Sequence, residues 1–143
     1  MNSTRVIPLL LLAFPALAEV TVPADDAANA ATTHEIKGVQ ATSASFKGKI
    51  IKINFLCRGN QITDLPDGGK SGEVLDSATT RQKLDVEVPK EGVDWFMQIP
   101  TTDAGGPTIT AYGRLVSSKF GEPVFKILGT QMKSDAKGAH FSW

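Results

Sequence analysis

Cysteine is almost missing from this chain: Cys57 is the one thiol in 143 residues. A single cysteine closes no intramolecular disulfide, and a thiolate metal site needs further ligands that no second cysteine or histidine cluster supplies. Histidine is nearly as scarce. His34 and His140 stand near the two ends of the folded part, and no Gly-x-Ser-x-Gly accompanies them. Nucleophilic catalysis needs a base positioned beside its nucleophile, so both read as ordinary surface histidines. Neither sign of charge is in excess, with 15 basic and 15 acidic residues. Nucleic-acid-binding domains are usually basic, and this balance argues against a nucleic-acid partner. No catalytic residue, metal or cofactor is expected.

Long apolar runs are missing as well, except at the start. Arg5 is followed by an apolar stretch from Val6 to Ala18 that ends on Ala16-Leu17-Ala18. A short positive start, an apolar middle and small residues before a cut ahead of Glu19 describe a secretory signal over residues 1–18. A spanning helix needs about 20 apolar residues. This stretch is shorter and contains Pro8 and Pro15, so no membrane span is expected after the signal is removed. Small exported eukaryotic domains are often disulfide-dense. One cysteine therefore favours a bacterial periplasm or cell exterior over a eukaryotic secreted protein.

What remains is long enough for one domain with a real core. Its charge is uneven: residues 34–60 hold five basic and one acidic group, residues 61–104 nine acidic and four basic, and residues 105–143 five basic and two acidic. Residues 19–33, rich in alanine and without a sustained apolar period, read as a flexible lead-in, with room for a short helical turn in the alanine run, to a single domain over 34–143.

Within that domain Glu35 to Ala41 suits a short helix burying Ile36 and Val39. Phe46-Lys47-Gly48-Lys49 is a turn feeding a strand. Ile51, Ile53, Phe55 and Cys57 alternate with Lys52, Asn54, Leu56 and Arg58, the period of a half-buried strand, which Gly59-Asn60 ends. Pro66-Asp67-Gly68-Gly69 is a turn between Gln61–Leu65 and Gly72–Asp76. Leu84, Val86 and Val88 form another strand, stopped by Pro89. Residues 90–99 suit a short helix, with a strand as the competing reading. Thr101 to Pro107 is a loop. Thr108–Val116 and Pro123–Met132 are two strands joined at hairpin length. The tail with Phe141 and Trp143 packs back on the domain.

The order strand, strand, strand, short helix, strand, strand resembles the oligonucleotide/oligosaccharide-binding fold, a five-stranded Greek-key barrel with a helix between strands three and four. Phe46-Lys47-Gly48-Lys49-Ile50-Ile51 and Ile109-Thr110-Ala111-Tyr112-Gly113-Arg114-Leu115-Val116 resemble the first and fourth strands of small bacterial exported domains of that type. The resemblance covers about residues 34–132 and is one of fold.

Other motifs dissolve on inspection. Gly69-Lys70-Ser71 lacks the earlier glycine of a phosphate loop, since Asp64 stands in its place. Asp64 and Asp67 are too sparse for a calcium loop. Cys57 lies in the apolar register of its strand, where a thiol packs as a small hydrophobe. The acidic residues of 61–104 fall mainly on turns and outward strand positions, where solvation accounts for them. One constellation suggests ligand binding. Lys52, Asn54, Arg58, Tyr112 and Arg114, joined by Lys126, occupy outward strand positions, and barrels of this kind bind polymers on a sheet face through cations and stacking aromatics. The expected function is an exported, non-enzymatic binding module whose partner is an envelope protein, a peptide or a glycan. The alternatives are a small envelope hydrolase and a structural or inhibitory protein acting through a sheet edge.

Overall fold

The computed structural model describes residues 19–57, 62–76, 82–100 and 107–143. The expected signal over residues 1–18, Arg58, the Gly59-Asn60 strand end and most of the loop expected at 101–107 lie outside the described residues.

The alternating apolar runs become strands, as their period requires. In chain order come β1 (Val20–Val22), a 3-10 helix (Ala24–Ala31), β2 (Thr33–Glu35), α1 (Ile36–Ala41), α2 (Ser43–Phe46) and β3 (Ile50–Cys57). They are followed by β4 (Thr63–Asp64), β5 (Lys70–Leu75), β6 (Lys83–Val88), a 3-10 turn (Lys90–Gly92) and α3 (Val93–Gln98). The chain closes with β7 (Ile109–Ser117), β8 (Pro123–Gly129), β9 (Gln131–Asp135) and β10 (Gly138–Ser142).

Five of these strands close a mixed barrel. Neighbours run β3–β7–β8–β6–β5, and β5 returns to β3 through Leu56 opposite Leu75 and Cys57 opposite Val74. All these pairings are antiparallel except β6 with β8. With α3 between the third and fourth barrel strands, this is the expected OB-like architecture. The helical reading of residues 93–98 holds because Phe96 turns into the core while Met97 faces water.

Alternation fills the barrel. Ile51, Ile53, Phe55, Cys57, Val74, Leu84, Val86, Val88, Ala111, Leu115, Phe125 and Ile127 meet inside, and Ile36, Val39, Phe96 and Ile99 join the same cluster. Each large side chain so buried contributes about 1.5–3 kcal/mol. Leu56, expected to face outward, is buried, because its partner across the closing seam is Leu75.

Two regions depart from expectation. The expected lead-in over 19–33 carries β1 and the first 3-10 helix, whose Ala27 and Ala30 are buried. The single strand expected over Pro123–Met132 breaks at Thr130, whose amide donates to the Ser142 carbonyl. Beyond it β9 and β10 form a hairpin, and β1 pairs with the far side of β10. This three-stranded sheet and the 3-10 helix lie over the outer face of β3, where Ile50, Ala27, Ala30, Ala139 and Phe141 make a second core. Val22, Tyr112, Leu128 and Met132 pack at its margin.

Candidate functional site

The second core decides what the residues singled out from sequence can do. Lys52 and Tyr112 face each other across β3 and β7, with the Lys52 Nζ 5.6 Å from the ring centroid. On its other side Tyr112 meets Phe141, ring centroids 5.6 Å apart. Thr110 Oγ1 donates to Asn54 Oδ1 at 2.5 Å. Arg114 turns toward the α2–β3 turn and donates through Nη1 to the Gly48 carbonyl at 2.7 Å. Lys52, Asn54 and Tyr112 thus share one patch, Arg114 is held beside it, and Arg58 lies outside the described residues. Tyr112 leans on the covering layer instead of standing free as a stacking platform.

Lys126 belongs to a different wall. Leu128 of β8 meets the second core, but among the described residues that core does not reach the outward polar positions of β5, β6 and the start of β8. Here Ser71 stands opposite Glu87, Glu73 opposite Asp85, and Glu87 opposite Lys126. Lys126 Nζ is 3.7 Å from Glu87 Oε1, and Lys83 Nζ is 3.7 Å from Glu73 Oε1. Glu73 against Asp85 is a like-charge pair at directly facing positions, an arrangement that destabilises a sheet. Burial first, and then the charges of Glu73 and Glu122, push the Asp85 carboxyl above its usual range.

Three hollows follow one another along this wall. One of about 420 Å³ is bounded by Gln40, Ser43, Glu122 and the Glu73–Asp85 pair. The next, about 290 Å³, shares that pair and reaches Thr63 and Glu87. The third, about 260 Å³, shares Glu87 and is walled by Val20, Leu65, Leu128 and Trp143. Trp143 is fixed by its neighbours: its ring centroid lies 5.2 Å from that of Trp95, and a Cβ at Gly92 would collide with it. Sequence reasoning placed Trp143 only as packing, and Glu91 and Val20 only as solvated surface and lead-in. The apolar Ala139 and Phe141 at a spacing of two were the available sign that the tail is a strand.

The titratable candidates occupy separate places. His34 packs against Phe46, ring centroids 4.8 Å apart and planes tilted by 59°. His140 Nε2 is 2.8 Å from Asp135 Oδ1, while its Nδ1 lies 2.9 Å from Thr21 Oγ1 and 3.2 Å from Glu19 Oε1. Cys57 is buried in the barrel, and burial pushes its thiol up to about 11, which leaves it protonated and unreactive at neutral pH. Among the described residues no three His, Cys, Asp or Glu side chains are grouped to hold a metal ion. Among them, too, no helix is long and apolar enough to cross a membrane.

The class that the fold defines is an OB-like barrel. No family model matches the chain, and no curated protein matches it. Among solved structures it is similar to a Leishmania major Friedlin protein described as an aspartyl-tRNA synthetase. The TM-score there is 0.49 at 11% identity, covering 96% of this chain and 26% of that one. It is also similar to the aspartyl-tRNA synthetase from Entamoeba histolytica, with a TM-score of 0.47 at 10% identity, covering 68% of this chain and 20% of that one. The chain therefore spans about a quarter or less of these proteins. The expectation that a nucleic-acid partner is unlikely does not stand. It rested on net charge, and a net charge summed over a whole surface says nothing of its local patches.

Proposed function

We propose that this protein is an exported, non-enzymatic binding module that takes an extended ligand along the bare β5–β6–β8 wall. The export reading rests on the sequence of residues 1–18. The binding reading rests on one observation: three hollows in series, joined through Glu73, Asp85 and Glu87, make a continuous track on the uncovered side of the barrel. A globular enzyme pocket would be one concave site with converging polar groups; a track suits a polymer. The Glu73–Asp85 juxtaposition supports the same wall, because local rules are broken most often where function needs it. A peptide, a glycan or a segment of an envelope protein fits this reading. The β3–β7 patch of Lys52, Asn54, Tyr112 and Arg114 is the rival surface.

Photo-crosslinking in an exporting bacterial host separates them. A photoreactive residue at position 71 or 126 is expected to capture a ligand, and one at position 52 is not. Capture from position 52 alone, or from none of the three, overturns the wall.

A further inference from the structure

The end of the track at Trp143 differs in chemistry from the rest. Val20, Leu65, Leu128 and the Trp143 ring give it apolar sides, whereas Asp67, Glu87 and Glu91 bring three carboxylates to its lining. Lys126 is the one cation lining it among the described residues, and Glu87 already engages that ammonium at 3.7 Å. Asp67 spends Oδ1 on the Gly69 amide at 2.9 Å, which holds the turn that carries it. The Lys90 stem lies beside Gly68 at the rim. The cleft is thus an apolar hollow of about 260 Å³ with a surplus of negative charge.

Its wall also includes a strand edge. Val20 is 38% exposed and belongs to β1, which pairs with β10 on one side and, among the described residues, ends the sheet on the other. An edge of this kind offers backbone groups to an added strand.

We propose that this cleft is the anchor site of an extended basic peptide. One large apolar side chain of the peptide seats against Trp143, Leu65 and Leu128, and a Lys or Arg beside it meets Glu87 and Glu91. The proposal rests on the wall reading above and supplies its ligand class. A peptide fits where a neutral glycan does not, because the apolar sides want an apolar anchor, the carboxylates want a cation, and the β1 edge wants an amide backbone.

The probe is a capped pentapeptide, Lys-Val-Phe-Lys-Val, titrated into the protein produced from the full chain and followed by calorimetry and tryptophan emission. Trp143 is one of only two tryptophans, so occupancy is expected to shift the emission. The analogue Glu-Val-Phe-Glu-Val is expected not to bind. Replacing the probe's Phe by Ala is expected to weaken binding about tenfold or more, as loss of a buried aromatic anchor does. Glu87→Gln with Glu91→Gln is expected to weaken it about tenfold, the scale of lost charge-assisted contacts. Glu122→Gln, remote from the cleft along the track, is expected to leave it unchanged, and circular dichroism reports that each variant is folded. Equal binding of the acidic analogue, an unaltered affinity in the double variant, or no response at millimolar probe overturns the proposal. If the probe fails while position 71 or 126 still crosslinks a ligand, the anchor site falls and the wall stands; if the probe and both positions fail, both fall.

Discussion

The two outer faces of this barrel are built from the same kind of strand and end in opposite states. On the β3–β7 side the outward positions hold Ile50 and Tyr112, and the chain's own ends, the first 3-10 helix with β1 and the β9–β10 hairpin, are folded over them. On the β5–β6–β8 side the outward positions include Ser71, Glu73, Asp85, Glu87 and Lys126, and among the described residues the second core does not reach them. The difference lies in chemistry at the outward register. Apolar outward residues recruited a second layer, because uncovered they would expose a large apolar patch. Charged ones left the wall bare. The barrel thus has one outer face closed by the segments that flank it and another left open.

The largest test of that contrast is Phe141→Ala. Phe141 is fully buried between Tyr112 and the alanines of the 3-10 helix, outside the barrel itself. If the layer is a second core, its loss costs about 3–5 kcal/mol, as for a buried aromatic in any core. Urea unfolding is expected to show that cost in the midpoint with an unchanged slope. A cost below about 1 kcal/mol would make the layer a loose strap, and the two faces would then differ less than they do here.

Next in size is Gly138→Ala. Gly138 opens β10 at φ +128, a conformation that L residues rarely adopt, and a Cβ there would run into the Val22 carbonyl of β1. Strain and collision together are expected to cost about 1–3 kcal/mol. The damage is expected at the β1–β10 seam, so hydrogen exchange at Val20 to Val22 should quicken while the barrel amides of β3 and β7 hold. Quickening in the barrel instead would mean that the layer and barrel unfold as one unit.

The barrel was legible in the sequence because its strands obey a strict period of two: Ile51, Ile53, Phe55 and Cys57 on one side, Leu84, Val86 and Val88 on another. The layer was not, because its evidence is a break in that period. Ile50 beside Ile51 and Leu128 beside Ile127 put apolar residues on both faces at once, the signature of a strand covered twice. Read as alternation alone, those pairs vanish. The alanines of 24–31 each bury little area and so read as lead-in, yet Ala27 and Ala30 are small enough to let the 3-10 helix lie flat on the sheet. The candidate wall was less legible: of the residues singled out from sequence for binding, only Lys126 lies on it. Outward Lys52, Asn54, Tyr112 and Arg114 were placed on the right strands, but which outward face stays open depends on where the termini go, and no local pattern encodes that.

The seam also carries a pH dependence, smaller than either substitution. Asp135, the nearest partner, raises the His140 imidazole pKa by accepting its hydrogen bond, with the charge of Glu19 adding to the effect; burial opposes the shift. The His140 bond and the Lys137 amide in turn hold the Asp135 carboxyl below its ordinary value. Lys133, opposite His140 on β9, is the neighbouring cation. A raised imidazole pKa gives stability that is complete below the ordinary 6.5 and is lost as pH rises through the raised value. A lowered carboxyl pKa gives stability that is present above the ordinary 3.8 and is lost as pH falls through the lowered value. Protection of the Val20–Val22 amides is therefore expected to be greatest between about pH 4 and 6.5, and His140→Asn is expected to flatten that profile. An unaltered profile in the variant would take His140 out of the seam.

The smallest expected effect lies on the bare wall and has the opposite sign. A carboxyl pKa raised by burial and by Glu73 and Glu122 means that ionised Asp85 is disfavoured in the fold. Its destabilisation is absent below the ordinary 3.8, grows as pH rises toward the raised value, and is constant above it. Asp85→Asn removes that charge and keeps the shape. Because the group is largely solvent-screened, the gain at neutral pH is a few tenths of a kcal/mol, the scale of exposed charge pairs. Thermal unfolding at neutral pH is expected to show a slight rise that disappears near pH 3.5. The same variant is expected to bind the basic pentapeptide as the parent does, since Asp85 lies in the middle of the track and outside the Trp143 cleft, but to weaken capture of a longer basic peptide that runs along the whole wall. A stabilised variant with unchanged capture of long peptides would make the Glu73–Asp85 pair a cost without a ligand. The open face would then extend no further than the Trp143 cleft.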